Sequence, residues 1–283
     1  MTASFIIRTD EDSYCIIDPQ NENALLTLKV NEWETNFFKK KVGKLIIDSN
    51  ILKSLTEETV NDFLNRMIFF ADENHYNIIE LQLDIQALQF VPLFENKGFR
   101  LVDTRITFIT LIDKKQIERY SSPIGEIGFA TKNDLEDILD LTRQSFVYNP
   151  AFFSRYKNKN FFTKEESERF YLAWITNHIE DSDSWFVVIR KGQKVLGYFI
   201  YKDAGLYKDE KIYKGILTAV APEYRGHKLH IFMQSYLYNQ FPEDQFYIDS
   251  TTQLTNYATI KSHIRSQKNL SCIKLNFYRL ESR

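Results

Sequence analysis

The sequence predicts a mixed α/β protein built from two units, and three observations carry that expectation. Stretches of period two, such as Ile79, Leu81 and Leu83 between Glu80 and Gln82, alternate with stretches of helical period, such as Val60, Phe63, Leu64, Met67, Ile68 and Ala71. The chain has 283 residues, 43% hydrophobic and 26% charged, enough for two domains of ordinary size. A polar run at 113–124, ending in Ser121-Ser122-Pro123-Ile124, reads as a linker between residues 1–113 and 114–283.

Composition excludes several classes. The formal net charge is −2, and the basic run Lys39-Lys40-Lys41 stops at Val42, so no nucleic-acid partner is expected. No stretch reaches the roughly 18 apolar residues of a membrane helix, and the N-terminus meets Asp10 without a signal-peptide core. The two cysteines, Cys15 and Cys272, are far apart and have no metal-ligand spacing. The expectation is a cytoplasmic protein without a disulfide framework or a metal.

In the first unit, 24–30 reads as a strand, 31–38 as an aromatic loop and 42–47 as a second strand. Ser54-Leu55-Thr56-Glu57 has the form of a capping box opening a helix over 55–74. Ile79 to Leu83 reads as a strand with one wet face. A short helix follows to Lys97, closed by Gly98, and then a long strand from Phe99 to Leu111. No turn in this unit suits an anion, so it reads as scaffold or substrate wall.

In the second unit, 127–130 is a strand and 132–146 a helix with Leu135, Ile138, Leu139, Leu141 and Thr142 inward. Thr163 and Glu166 form a capping box for a helix presenting Phe170, Tyr171, Trp174 and Ile175. Residues 185–190 and 195–201 form a hairpin around Lys191-Gly192-Gln193. Gly215 suggests a bulge in the strand 212–220. A helix over 227–240, a strand over 245–250, a helix over 256–265 and a strand over 270–280 follow.

The chemistry concentrates where strand 212–220 meets the next helix. Leu217, Thr218, Ala219 and Val220 lead into Ala221-Pro222-Glu223-Tyr224, and then Arg225, Gly226, His227, Lys228, Leu229 and His230. Such a turn aims backbone N–H groups and a positive helix end at one point, which suits a pyrophosphate. The order V-x-P-x-x-R-G resembles the acetyl-CoA signature of the GNAT N-acetyltransferases. In that pattern Arg225 takes the Gln/Arg place, and the glycine places hold Lys228 and His230.

The resemblance narrows with Trp33-Glu34-Thr35-Asn36-Phe37-Phe38, Val42-Gly43-Lys44-Leu45, Gly98 to Thr104, Phe146 to Phe153, Tyr171-x-x-Trp174 and Thr252-Gln253-x-x-Asn256, which are similar to the TDP-fucosamine acetyltransferase family. It implies two GNAT-like domains, the N-terminal one incomplete, and transfer of an acetyl or related acyl group from acetyl-CoA to the amine of a nucleotide-linked amino sugar. It also implies that Asn256 borders the cofactor and that His263 stands where the family has a Tyr general acid. Backbone amides near Leu217, Thr218 and Ala219 would stabilise the oxyanion. Aromatic residues of 146–174, with Arg155, suit an acceptor wall or, alternatively, a packed core. A binding module without catalysis, an acyltransferase for a peptide or other small amine, and a homodimer stay open.

Overall fold

The computed structural model describes residues 5–20, 22–117, 122 and 124–281. Its contacts divide the chain into two compact units: residues up to Arg105 together with those from Cys272 onward, and Ile106–Ser271. This differs from the division at 113/114 expected from composition. Strand pairing assigns the C-terminal strand to the first unit, and polar composition carries no information on such long-range pairing. Of the expected linker, residues 118–121 and 123 lie outside the described residues.

The first unit contains β1 (Ile6–Thr9), β2 (Ser13–Ile17), β3 (Ala24–Val30), α1 (Glu32–Phe38), β4 (Val42–Ile47), α2 (Ser49–Ser54), α3 (Glu57–Glu73), β5 (Ile78–Asp84), α4 (Val91–Asn96), the start of β6 (Arg100–Asp113) and most of β12 (Leu270–Leu280). Its strands pair in the order β1-β2-β3-β4-β5-β12, antiparallel except for parallel β4 and β5. The apolar stripe of α3 is buried on this sheet through Val60, Phe63, Leu64, Met67 and Ala71. The Gly98 cap has φ +83°, the left-handed conformation that closes α4.

Three local expectations change. The aromatic segment 31–38 is α1, because Asn31 Oδ1 accepts from the Glu34 amide and Glu32 and Glu34 sit favourably in the first turn. Helix α3 is capped by Thr56, whose Oγ1 accepts from the Thr59 amide, while Ser54 ends α2. Strand β5 has no wet face at Glu80, which is 2% exposed and accepts from Gln82 Nε2 at 3.0 Å. It lies between β4 and β12, so alternation alone misreads it.

The second unit contains the rest of β6, β7 (Glu126–Phe129), α5 (Leu135–Thr142), α6 (Lys164–Glu180), β8 (Ser184–Lys191), β9 (Lys194–Tyr207), β10 (Glu210–Val220), α7 (Leu229–Gln240), β11 (Gln245–Gln253) and α8 (Tyr257–Arg265). Strands β7, β8, β9 and β10 are consecutive antiparallel neighbours, and β10 is parallel to β11. The Thr163–Glu166 capping box forms with both of its bonds, at 2.7 and 3.1 Å. Helix α7 packs Leu229, Met233 and Leu237 against Phe246 and Ile248 of β11 and Tyr201 and Tyr213 of the neighbouring strands. That packing fixes the start of α7 beside the end of β10.

Candidate functional site

Strands β10 and β11 run side by side only briefly. Their register is Ile212 with Tyr247, Tyr213 with Ile248 and Lys214 with Asp249, after which β10 continues to Val220 and β11 to Gln253 without pairing. Over the same stretch β10 stays paired to β9, with a register shift between Gly215 and Leu217 that marks Ile216 as an extra, bulged residue. The edge of β10 turned away from β9 is therefore open from Gly215 to Val220. Leu217, Thr218, Ala219 and Val220 all lie along that gap.

Past Val220 the chain makes one 3₁₀ turn at Pro222–Tyr224 and enters α7. Gly226 has φ +85° and Lys228 has φ +60°, so Lys228 adopts the left-handed conformation that a glycine would supply without strain. The amides of Gly226, His227, Lys228, Leu229 and His230 have no hydrogen-bond partner in the described chain, whereas the next two donate to Lys228 O. Arg225 is exposed and its Nε donates to Val220 O at 3.1 Å, clipping the turn to the strand. The exposed Lys228 and His227 add cationic character. Five open amides at the N-terminus of a 12-residue helix, beside an exposed guanidinium, suit a phosphate group.

A second group of side chains stands beside the gap, between α7, α8 and the sheet. His230 Nε2 lies 2.9 Å from Ser262 Oγ and ties the start of α7 to α8. The His263 ring packs on Phe108 of β6, centroids 5.0 Å apart. Lys268 Nζ donates to Ser250 Oγ at 2.8 Å. Ser250 is the first β11 residue past the last β10 partner, and the alternation of β11 puts it on the same face as Phe246 and Ile248, toward α7. On the other face, Thr107 and Thr251 hydroxyls are 2.9 Å apart and Thr251 Oγ1 donates to Asp249 Oδ1 at 2.9 Å.

Asn256 caps α8, accepting from the Thr259 amide at 3.3 Å. His263 is brought to the cluster but is poorly suited to the acid role. Burial, followed by the charge of Lys268 and by His230, pulls its pKa down to about 3, leaving a neutral ring at physiological pH. Losing a general acid costs roughly 10²–10⁴-fold in rate; in an assay of the acyl transfer that the sequence resemblance implies, His263→Gln is expected to change thiol release far less. The aromatic wall is chiefly core: Phe146, Tyr156, Phe161, Phe162, Phe170 and Tyr171 are buried, with Tyr156 and Phe170 stacked at 3.9 Å. Arg155 lies over the Tyr156 ring and donates to its hydroxyl, holding this core together.

Ser250, Ser262, Lys268 and Phe108 have no motif in the sequence. Lys268 is set by the end of α8: Gln267 has φ +54°, its amide donates to Ile264 O, and the Lys268 amide donates to His263 O. This double closure turns the chain back under the helix. The polar run Arg265-Ser266-Gln267-Lys268-Asn269 reads only as a loop.

No protein-family model matches the sequence, and no curated protein matches it. Solved structures do share its architecture. A GCN5-related N-acetyltransferase from Sphaerobacter thermophilus superposes with a TM-score of 0.59 at 10% identity, over 98% of this chain and 82% of that one. A tandem GNAT protein from the clavulanic acid biosynthesis pathway gives 0.53 at 9% identity, over 100% and 85%. The glucosamine N-acetyltransferase region of a fungal multi-domain β-N-acetylglucosaminidase gives 0.58 at 13% identity, over 94% of this chain and 32% of that one. The protein has the mixed α/β fold of the GNAT N-acetyltransferases.

Proposed function

We propose that the protein is an acyl-CoA-dependent N-acyltransferase. The observation that carries this reading is the parting of β10 from β11 immediately after Lys214 and Asp249, beside the open amides of Gly226 to His230. The amides, with Arg225 and Lys228, would hold the pyrophosphate of acetyl-CoA. The gap would take the pantetheine arm, with Asn256 and α8 at its border. The bulged edge at Leu217, Thr218, Ala219 and Val220 presents backbone groups to polarise the thioester carbonyl. An acceptor amine then displaces the thiol, and the acyl group passes to nitrogen.

For the acceptor, the amine of a nucleotide-linked amino-deoxy sugar is supported by the sequence resemblance to the TDP-fucosamine acetyltransferases. The likeness in fold to a glucosamine N-acetyltransferase region is consistent with a sugar amine. Incubating the protein with acetyl-CoA and TDP-linked 4-amino sugars, and following free thiol, tests this. Turnover with a sugar amine is the expected result; turnover with peptide amines alone would overturn the acceptor assignment. A second reading, a coenzyme A-binding module without catalysis, has the neutral His263 in its favour. Its signature is tight binding of coenzyme A in calorimetry with no thiol release from acetyl-CoA on any amine.

A further inference from the structure

Where β10 and β11 part, the described residues place one cation and no carboxylate on the α7 face. The Schellman-type closure of α8 directs Lys268 to Ser250, and Ser250 is the residue at which the gap opens. The groups around the ammonium come from four elements: His263 of α8, His230 of α7, Ser250 of β11 and Phe108 of β6. Both histidines are held below their ordinary pKa, by burial first and then by the lysine charge, so they bring no charge at neutral pH. The nearest carboxylate of β11, Asp249, belongs to the opposite face, where it accepts from Thr251.

The half-buried Lys268 ammonium donates to a neutral hydroxyl and not to a carboxylate, and in a binding site the matching negative charge comes from the ligand. In the acyl transfer proposed above, one negative charge develops at this end of the gap, on the sulfur that leaves. We propose that Lys268 is the catalytic residue that receives this sulfur, pairing with the thiolate and delivering a proton to it from Nζ. The step balances. The acceptor nitrogen forms a bond to the acyl carbon, the carbon–sulfur bond breaks with its electron pair going to sulfur, and the Lys268 proton converts thiolate to thiol. The proton lost by the acceptor amine returns through water to neutral Lys268. Burial already lowers the Lys268 ammonium to about 8, close to a thiol, which suits transfer in either direction.

The proposal rests on the acyltransferase reading, and its test separates the two. The probe is coenzyme A itself, bound to the full chain, with its thiol titrated by ultraviolet absorbance of the thiolate. In the wild type, bound coenzyme A is expected to ionise at least about one pH unit below free coenzyme A. Lys268→Met and Lys268→Gln should abolish that shift, the Gln variant retaining a donor for Ser250. Lys268→Arg should keep the shift, because the charge remains, while losing turnover. His263→Gln should leave the shift in place. Binding with an unshifted thiol, or a shift that survives in Lys268→Met, overturns the Lys268 assignment and leaves the acyltransferase reading standing. Failure of the wild type to bind coenzyme A overturns both.

Discussion

Gly226→Val is expected to weaken coenzyme A binding by about tenfold to a hundredfold in calorimetry. The reason is backbone geometry alone. Gly226 has φ +85°, and a Cβ built there meets no atom within 4 Å, so space is available but the conformation is not. A β-branched residue in that region costs about 1–3 kcal/mol. The turn avoids the cost by rotating to negative φ, which redirects the amides from Gly226 to His230. Each 1.4 kcal/mol is roughly a tenfold change in affinity. Gly192 supplies the control. It also has positive φ, +61°, and open space at its Cβ, but it closes the β8–β9 hairpin. Gly192→Val should cost comparable stability and leave coenzyme A affinity unchanged. Equal binding by the Gly226 variant and the wild type would remove the turn from the cofactor site.

The same turn shows how far the sequence could be read. Pro222 and Gly226 announce a sharp strand-to-helix turn because one restricts and the other frees the backbone locally. Gly215 announces the bulge for the same reason, and Asn256 and the Thr163–Glu166 pair announce helix starts that the structure contains. Lys228 was opaque. A lysine at a glycine place does not announce a left-handed residue, yet Lys228 takes φ +60° itself with its side chain exposed, so that backbone is kept at a cost of about 1–2 kcal/mol. His263 was misleading for a different reason. Its place along α8 pointed to an acid, while its proton affinity is set by burial against Phe108 of β6, by Lys268 folded back at the end of α8 and by His230 of α7, none of which its place along the helix shows. Lys268 could not be found at all, because its partner Ser250 lies 18 residues earlier on a different element. The place of β12 is equally hidden: it joins β5 across most of the sequence, and no local signal marks that pairing.

Asp134→Ala is expected to destabilise the second unit by about 1–3 kcal/mol, the range for leaving a half-buried charged group without its hydrogen-bond partner. Asp134 is 6% exposed, and its carboxylate faces Arg190 in a fork, Nε to Oδ1 at 2.5 Å and Nη2 to Oδ2 at 2.6 Å. The Thr131 amide and hydroxyl donate to the same carboxylate at 2.7 Å, and Arg190 Nη2 also reaches Phe129 O at 2.8 Å. The pair thus ties the start of α5 to β7 and β8. The hydrogen bond from Arg190 leads in holding the Asp134 pKa down to about 2, with Thr131 adding and burial opposing. A carboxyl whose folded pKa lies below its unfolded value of about 3.9 stabilises the fold above that value. Its contribution is therefore full above about pH 4 and drains away as the pH falls toward 2. Urea unfolding at pH 7 and at pH 3 reads this directly: the gap between wild type and Asp134→Ala should be wide at pH 7 and narrower at pH 3. Because the cost is that of an unpaired guanidinium, Asp134→Ala with Arg190→Met should recover most of it. A double variant no more stable than the single one would show instead that the Thr131 cap, and not the charge pair, holds the start of α5.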